Sequence, residues 1–270
     1  MGGMTPEKKL SSLQNERVKR AVRLRTGRSR KDPPLLFVEG FRQVRRAMEN
    51  GVKPAEFYYC PTLYQGENEP ALVAKAAASG AELYECTEAV LRKLAERDRP
   101  DGIIALVPEV RRELASLNLP ANPLVLVCER IERPGNLGTI LRSADGAGVH
   151  AVLVCDRCAA VNDPRVVRAS VGTLFALPVV ETGSAEALAW LKERRIPILA
   201  ATPDANTDYA KADMTGAVAI VVGTEQHGLS ARWIEEALTR VRIPMLGQAD
   251  SLNVAAAATI LAFEAARQRS

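Results

Sequence analysis

Five polar side chains in the second half of the chain, Asn136, Arg142, Glu225, Ser251 and Asn253, are candidates for chemistry. They fall in three segments, "ERIERPGNLGTILRSADGAG" (129–148), "VVGTEQHGLS" (221–230) and "RIPMLGQADSLNVAAAATI" (242–260). Each follows or contains an apolar run and carries turn-forming Gly or Pro. In the first, Asn136 reads as a helix N-cap and Arg142 follows six residues on, about 120° around a helix. The two converge on a ligand only if the arginine reaches back toward the helix start. Taken alone, this stretch is more simply a cap and a surface charge. In the second, Gly223 permits a close backbone approach and Gly228 a positive φ. Glu225 between them needs donors at a buried strand end, and Arg142 is a candidate partner. His227 reads as a lone surface histidine. In the third, Ser251 and Asn253 can satisfy the orphan amides of a helix expected over 251–267. Leu252 leaves its backbone available, and the loop Ile243–Asp250, with Met245, offers free N–H and C=O groups suited to an adenine edge.

Positioning such loops requires a sheet. The pattern alternates throughout. Strands are expected at 35–39, 56–60, 81–85 and 102–107, then at 124–129, 151–155, 177–181, 196–202, 217–223 and 240–244. Helices are expected near 40–50, 69–79, 87–96, 136–147, 164–171, 184–194 and 230–238. Strands apolar at nearly every position and separated by helices give an α/β fold class, a parallel sheet with helices on both faces. Ligands of such sheets sit outside the carboxyl ends of the strands, which directs attention to 130–136, 202–208, 223–230 and 244–253. The proline-bounded stretch 108–122 reads as a linker between a smaller α/β domain (1–107) and a larger one (123–270).

Composition narrows the function. The chain has 270 residues, 47% hydrophobic and 25% charged, enough for a sizeable core. No apolar run reaches the length of a membrane span, about 18 residues, and no apolar segment follows the basic start, so neither a span nor a secretory signal is expected. Five cysteines suit a reducing, cytoplasmic setting. "CDRC" (155–158) has no second pair and the chain only two histidines, so no metal site is expected. No G-x-G-x-x-G opens a helix after a strand, and no phosphate-binding P-loop or G-x-S-x-G is present. Residues 1–31 hold ten basic side chains against Glu7 and Glu16, in a chain of net charge +4. Lys19, Arg20, Arg23, Arg25, Arg28, Arg30 and Lys31 therefore form either a solvated basic arm or a nucleic-acid contact.

The segments "RPGNLGTILRSADGAG", "IVVGTEQHGLS" and "RIPMLGQADSLNVAAAATI", in this order, closely resemble the three motifs of the SpoU (TrmH-like) RNA 2′-O-ribose methyltransferases of the SPOUT superfamily. "NDPRVVRASVGTLFALPV" (162–179) resembles the family's intervening stretch, and "LLFVEGFRQVRRAMENG" its L30e-like substrate-binding domain. The resemblance implies a C-terminal trefoil knot, S-adenosylmethionine as cofactor and a homodimer. It implies cofactor contacts at Gly223, Gly228, Ile243 and Leu252, with Thr202 and Met245 nearby. It also implies a catalytic group of Asn136, Arg142, Glu225, Ser251 and Asn253. The chain departs from the family at Gln226–His227, where a glycine often follows the glutamate. An arginine keeps its proton in nearly all protein settings. Arg142 is therefore expected to grip a phosphate or steady the developing alkoxide rather than act as a base. The expected substrate is RNA, 23S ribosomal RNA in preference to tRNA. A non-catalytic RNA-binding or assembly factor is the reading from another class.

Overall fold

In the computed structural model, residues 8–26, 34–224 and 227–270 are described. The chain divides into two compact units, one of residues up to Val110 together with Asn162–Ala176, the other of Arg111–Val161 and Leu177–Ser270.

The first unit is a five-stranded mixed sheet of β1 (Lys8–Leu10), β2 (Leu35–Glu39), β3 (Glu56–Tyr59), β4 (Glu82–Cys86) and β5 (Ile103–Pro108), in the order β1-β4-β3-β5-β2. Helices α1 (Glu16–Arg25), α2 (Phe41–Glu49), α3 (Glu69–Ala78) and α4 (Glu88–Leu94) flank it. The expected α2 and α3 are present. Thr87 caps α4, its hydroxyl accepting from the Val90 amide at 3.4 Å. The basic segment is not an arm in its central part. Helix α1 buries Val18, Ala21 and Leu24 at helical spacing in the same core as Tyr58, Val90 and Ile104. Its polar face is tied down too. Arg17 pairs with Glu56 at 3.1 Å, and Arg20 pairs with the same carboxylate, which Tyr58 also donates to.

The excursion 162–176, expected in the larger domain, folds into this unit. Asn162 exchanges two hydrogen bonds with Val110, at 2.8 and 2.9 Å. The left-handed Gly172 (φ 81°) lies against Gln43 so closely that a Cβ would stand 3.1 Å from the Gln43 Cα. Helix α6 (Pro164–Ala169) is capped by Asp163, whose carboxylate accepts from the Arg165 amide.

The second unit is a seven-stranded, all-parallel sheet in the order β10-β12-β9-β11-β6-β7-β8. The strands are β6 (Leu124–Glu129), β7 (Ala151–Cys155), β8 (Val179–Thr182), β9 (Ile198–Ala201), β10 (Thr207–Asp208), β11 (Val218–Val222) and β12 (Thr239–Arg242). Every residue of β6, β7 and β11 is buried, the mark of a sheet covered on both faces. Val125, Val127, Leu153 and Val221 pack with α7 (Ser184–Glu193) and with Trp233 of α8 (Ala231–Glu236). The alternate positions Leu126, Val152 and Ile220 are just as buried and, by the two-residue strand period, point to the opposite face. There α5 (Pro134–Gly146) and α9 (Val254–Arg269) pack together, joined by Ser143 and Thr259 through a 2.6 Å hydroxyl contact. The proline-bounded connection is not featureless. It makes one 3-10 turn that buries Leu114, and Arg112 donates to the Leu177 carbonyl at 2.6 Å.

Candidate active site

Three strands end beside one another at the carboxyl edge of the second sheet. Their terminal residues Ala201, Val222 and Arg242 open a cleft of about 550 Å³, within the roughly 300–1,000 Å³ of small-molecule sites. Its walls are the connections that follow. Thr202 comes from the β9 exit, Gly223 and Gly228 from the β11 exit, and Ile243, Met245, Ser251 and Leu252 from the β12 exit. Seven residues expected at a common site thus share one cavity.

The two glycines play the parts their positions suggest. Gly228 has φ 63°, open to glycine without strain. Gly223 faces its own loop. A Cβ there would collide with the Gly228 carbonyl and stand 2.8 Å from the Leu229 nitrogen. Thr224 and Gly228 then exchange two backbone hydrogen bonds, at 3.1 and 3.0 Å, closing the loop on itself. His227 is exposed and lines the cleft, and its amide donates to the Thr224 hydroxyl. Glu225, expected to pair with Arg142, lies outside the described residues.

The polar residues flanking Leu252 precede the last helix rather than begin it. Helix α9 starts at Val254 with Asn253 as its N-cap, the carboxamide oxygen accepting from the Ala255 amide at 2.9 Å. The same side chain donates through Nδ2 to Asn136 Oδ1 at 3.3 Å. Ser251 is not helical; it is exposed on the cleft wall. Asn136 is not a cap either. Arg133 holds that place and Pro134 opens α5, a suitable residue for the first turn. Asn136 sits in the first turn, where the amide of Asn253 joins the starts of α5 and α9. Arg142 is exposed and forms no ion pair among the described residues.

The basic residues divide differently from expectation. Arg20 is held by Glu56, and Arg25 donates to the carbonyls of Lys93, Leu94 and Ala95 at 3.1, 3.0 and 2.6 Å, capping the end of α4. Arg20 is thus paired with a carboxylate, whereas Arg25 keeps its positive charge, since carbonyl acceptors are neutral. Arg23 also has a partner within the chain. Lys19 pairs with Glu16 across one turn and remains on the surface. Arg28, Arg30 and Lys31 lie outside the described residues. Asp204, Arg242 and Asp250 also line the cleft. Asp204 and Asp250 fall in the strand-exit segments, the one signal that could have flagged them, whereas Arg242 closes β12 itself.

An all-parallel α/β unit with a cleft beyond the carboxyl ends of its strands, lined by glycine turns and by apolar and charged side chains, belongs to the class of folds that bind ligands at that edge. The chain belongs to the SpoU rRNA Methylase family, whose model matches residues 123–263. An MRM3-like substrate binding domain matches residues 15–105. It is 32% identical to the 23S rRNA (uridine(2479)-2′-O)-methyltransferase of Streptomyces viridochromogenes, over 99% of this chain and 95% of that protein. Among solved structures it resembles an RNA 2′-O ribose methyltransferase at 39% identity, with a TM-score of 0.86 and coverage of 97% and 99% of the two chains. It also resembles an AdoMet-bound rRNA methyltransferase of Sinorhizobium meliloti at 29% identity, with a TM-score of 0.87 and coverage of 96% and 97%.

Proposed function

We propose that this protein transfers a methyl group from S-adenosylmethionine to a ribose 2′-hydroxyl of 23S ribosomal RNA. The observation that carries this reading is the convergence of Thr202, Gly223, Gly228, Ile243, Met245, Ser251 and Leu252 on one cleft. The cleft suits the cofactor in size, and its walls supply backbone donors and acceptors for an adenine with apolar side chains beside them. Gly223, Ile243 and Leu252 would hold the cofactor through backbone groups, with Thr202 and Met245 at its sides. When bound, S-adenosylmethionine supplies a methyl group on an already activated sulfonium.

The protein's part is alignment, since holding two reactants in line removes much of the entropic barrier. Asn253 and Asn136, bonded to each other at the paired helix starts, fix the floor on which the ribose rests. Arg142, exposed six residues along α5, grips the phosphate or steadies the oxygen as its proton leaves to phosphate or water. Glu225 and Ser251 support the pocket. The first unit presents the RNA, and the C-terminal segment closes the cleft as part of a trefoil knot. Two copies act together. The half-exposed Phe263 of α9, beside Gly146 of α5, offers the apolar contact for the partner. A cytoplasmic setting goes with this reading.

Isothermal titration with S-adenosylmethionine is expected to give saturable binding. A 2′-O-methyl map of 23S rRNA and tRNA from cells lacking the protein is expected to lose one rRNA mark and no tRNA mark. Loss of a tRNA mark alone would reassign the substrate, and absence of cofactor binding would favour a non-catalytic RNA-binding factor.

A further inference from the structure

Glu129 ends β6, the strand between β7 and β11, and is 1% exposed. A carboxylate so buried is costly without a hydrogen-bond partner. Among the described residues it forms no ion pair; its Oε2 accepts from the Ser230 amide at 2.8 Å. The register explains the partner. Val222 stands opposite Cys128, so the 223–230 loop leaves the sheet beside Glu129 and returns to it at Ser230. Within that span the chain is pinched by the Thr224–Gly228 pair and by the contact of Gly223 with the Gly228 backbone. Thr224, His227, Gly228 and Leu229 then form one wall of the cleft.

We propose that Glu129 is a positioning residue for that wall. Its carboxylate clasps the Ser230 N–H and fixes where the loop rejoins the fold, so the cleft keeps its shape although Glu129 itself is not among its lining residues. A hydrogen bond to a carboxylate is stronger than one between neutral groups, and among the described residues no other hydrogen bond joins Glu129 to the loop. The effect on cofactor binding rests on the methyltransferase reading; the clasp is a property of the free protein.

The test uses three variants of the full chain. Glu129→Ala removes the acceptor, Glu129→Gln keeps an oxygen acceptor, and Ser230→Pro removes the donor at a φ of −65° that proline itself adopts. Hydrogen exchange on the free protein is expected to speed up about tenfold at the hydrogen-bonded amides of Thr224, His227 and Gly228 in Glu129→Ala and Ser230→Pro, with 218–222 of β11 unchanged, as the loss of one charge-assisted bond implies. Glu129→Gln is expected to restore part of the protection, since it keeps the oxygen acceptor but not the charge. In titration, S-adenosylmethionine binding weakens by a similar factor in both disrupting variants. The double variant Glu129→Ala/Ser230→Pro is no worse than either alone, because both remove one interaction. Unchanged exchange in the loop, loss of protection spread equally through β11, additive effects, or a Gln variant as damaging as Ala would each overturn the clasp. If the wild type binds no S-adenosylmethionine, the reading of the cleft fails, while the exchange data still decide the role of Glu129.

Discussion

Gly223 and Gly228 occupy the same short loop for different reasons. Gly228 needs a backbone conformation that side chains disfavour, and Gly223 needs the absence of a Cβ against its own loop. Gly223→Ala is expected to destabilise by about 1–3 kcal/mol through overpacking, and to weaken S-adenosylmethionine binding as the loop shifts. A melting curve and a titration on the same preparation check both. Arg142 belongs to the other class, a side chain whose exposure leaves the fold indifferent to it. Arg142→Ala is expected to keep cofactor binding and melting temperature while losing single-turnover methylation, and Arg142→Lys to retain measurable turnover. Wild-type rates in the alanine variant would remove Arg142 from the mechanism.

Among the helices, α1 departs furthest from what its charge suggests. Its arginines read as contacts for RNA, yet Arg17 and Arg20 converge on the buried Glu56, and Arg25 closes α4. Arg20→Ala is therefore expected to cost about 1–3 kcal/mol, as when one partner of a partly buried charged hydrogen bond is removed. The salt dependence of RNA binding should stay unchanged, because no phosphate contact is lost. Urea unfolding and binding at several salt concentrations separate the two effects. Helix α7 carries a pH signature. Asp156, just past β7, receives the Ser184 hydroxyl at 2.6 Å and the Ser184 amide at 3.0 Å. The hydroxyl bond holds the carboxyl below its ordinary range, opposed by desolvation and helped by the amide and by the charges of Arg130 and Arg232. Because the folded value is depressed, the stabilisation is complete above the unfolded value, about 3.9, and is lost as pH falls through the lower folded value. Asp156→Asn is expected to flatten the acid limb of stability from about pH 4 downward, measured as the urea midpoint against pH.

Across the chain, four of the five cysteines are buried and only Cys158 is exposed. Burial pushes the Cys128 thiol up to about 12. A native protein is expected to give one rapidly reacting thiol with a disulfide reagent and five after denaturation. Two or more fast thiols would mean that a sheet opens readily. The apolar strands and the exits that form the cleft could be read from the residues, because apolar runs, their lengths and the glycines after them are local properties, whereas the short β1 and β10 were not expected. Gly228 at positive φ follows from its type and place. The destination of each polar group could not be read in the same way. Nothing near Arg20 announces Glu56, 36 residues away, and nothing near Glu129 announces Ser230, 101 residues on. Nor does the "NDPRVVRASVGTLF" stretch betray that it folds with the first unit rather than with the strands on either side. Periodicity records which face of an element is apolar, and so the amino-acid order already contained the layers. Which charge meets which donor depends on how distant strands are set side by side, and that was decided only when the two sheets were assembled.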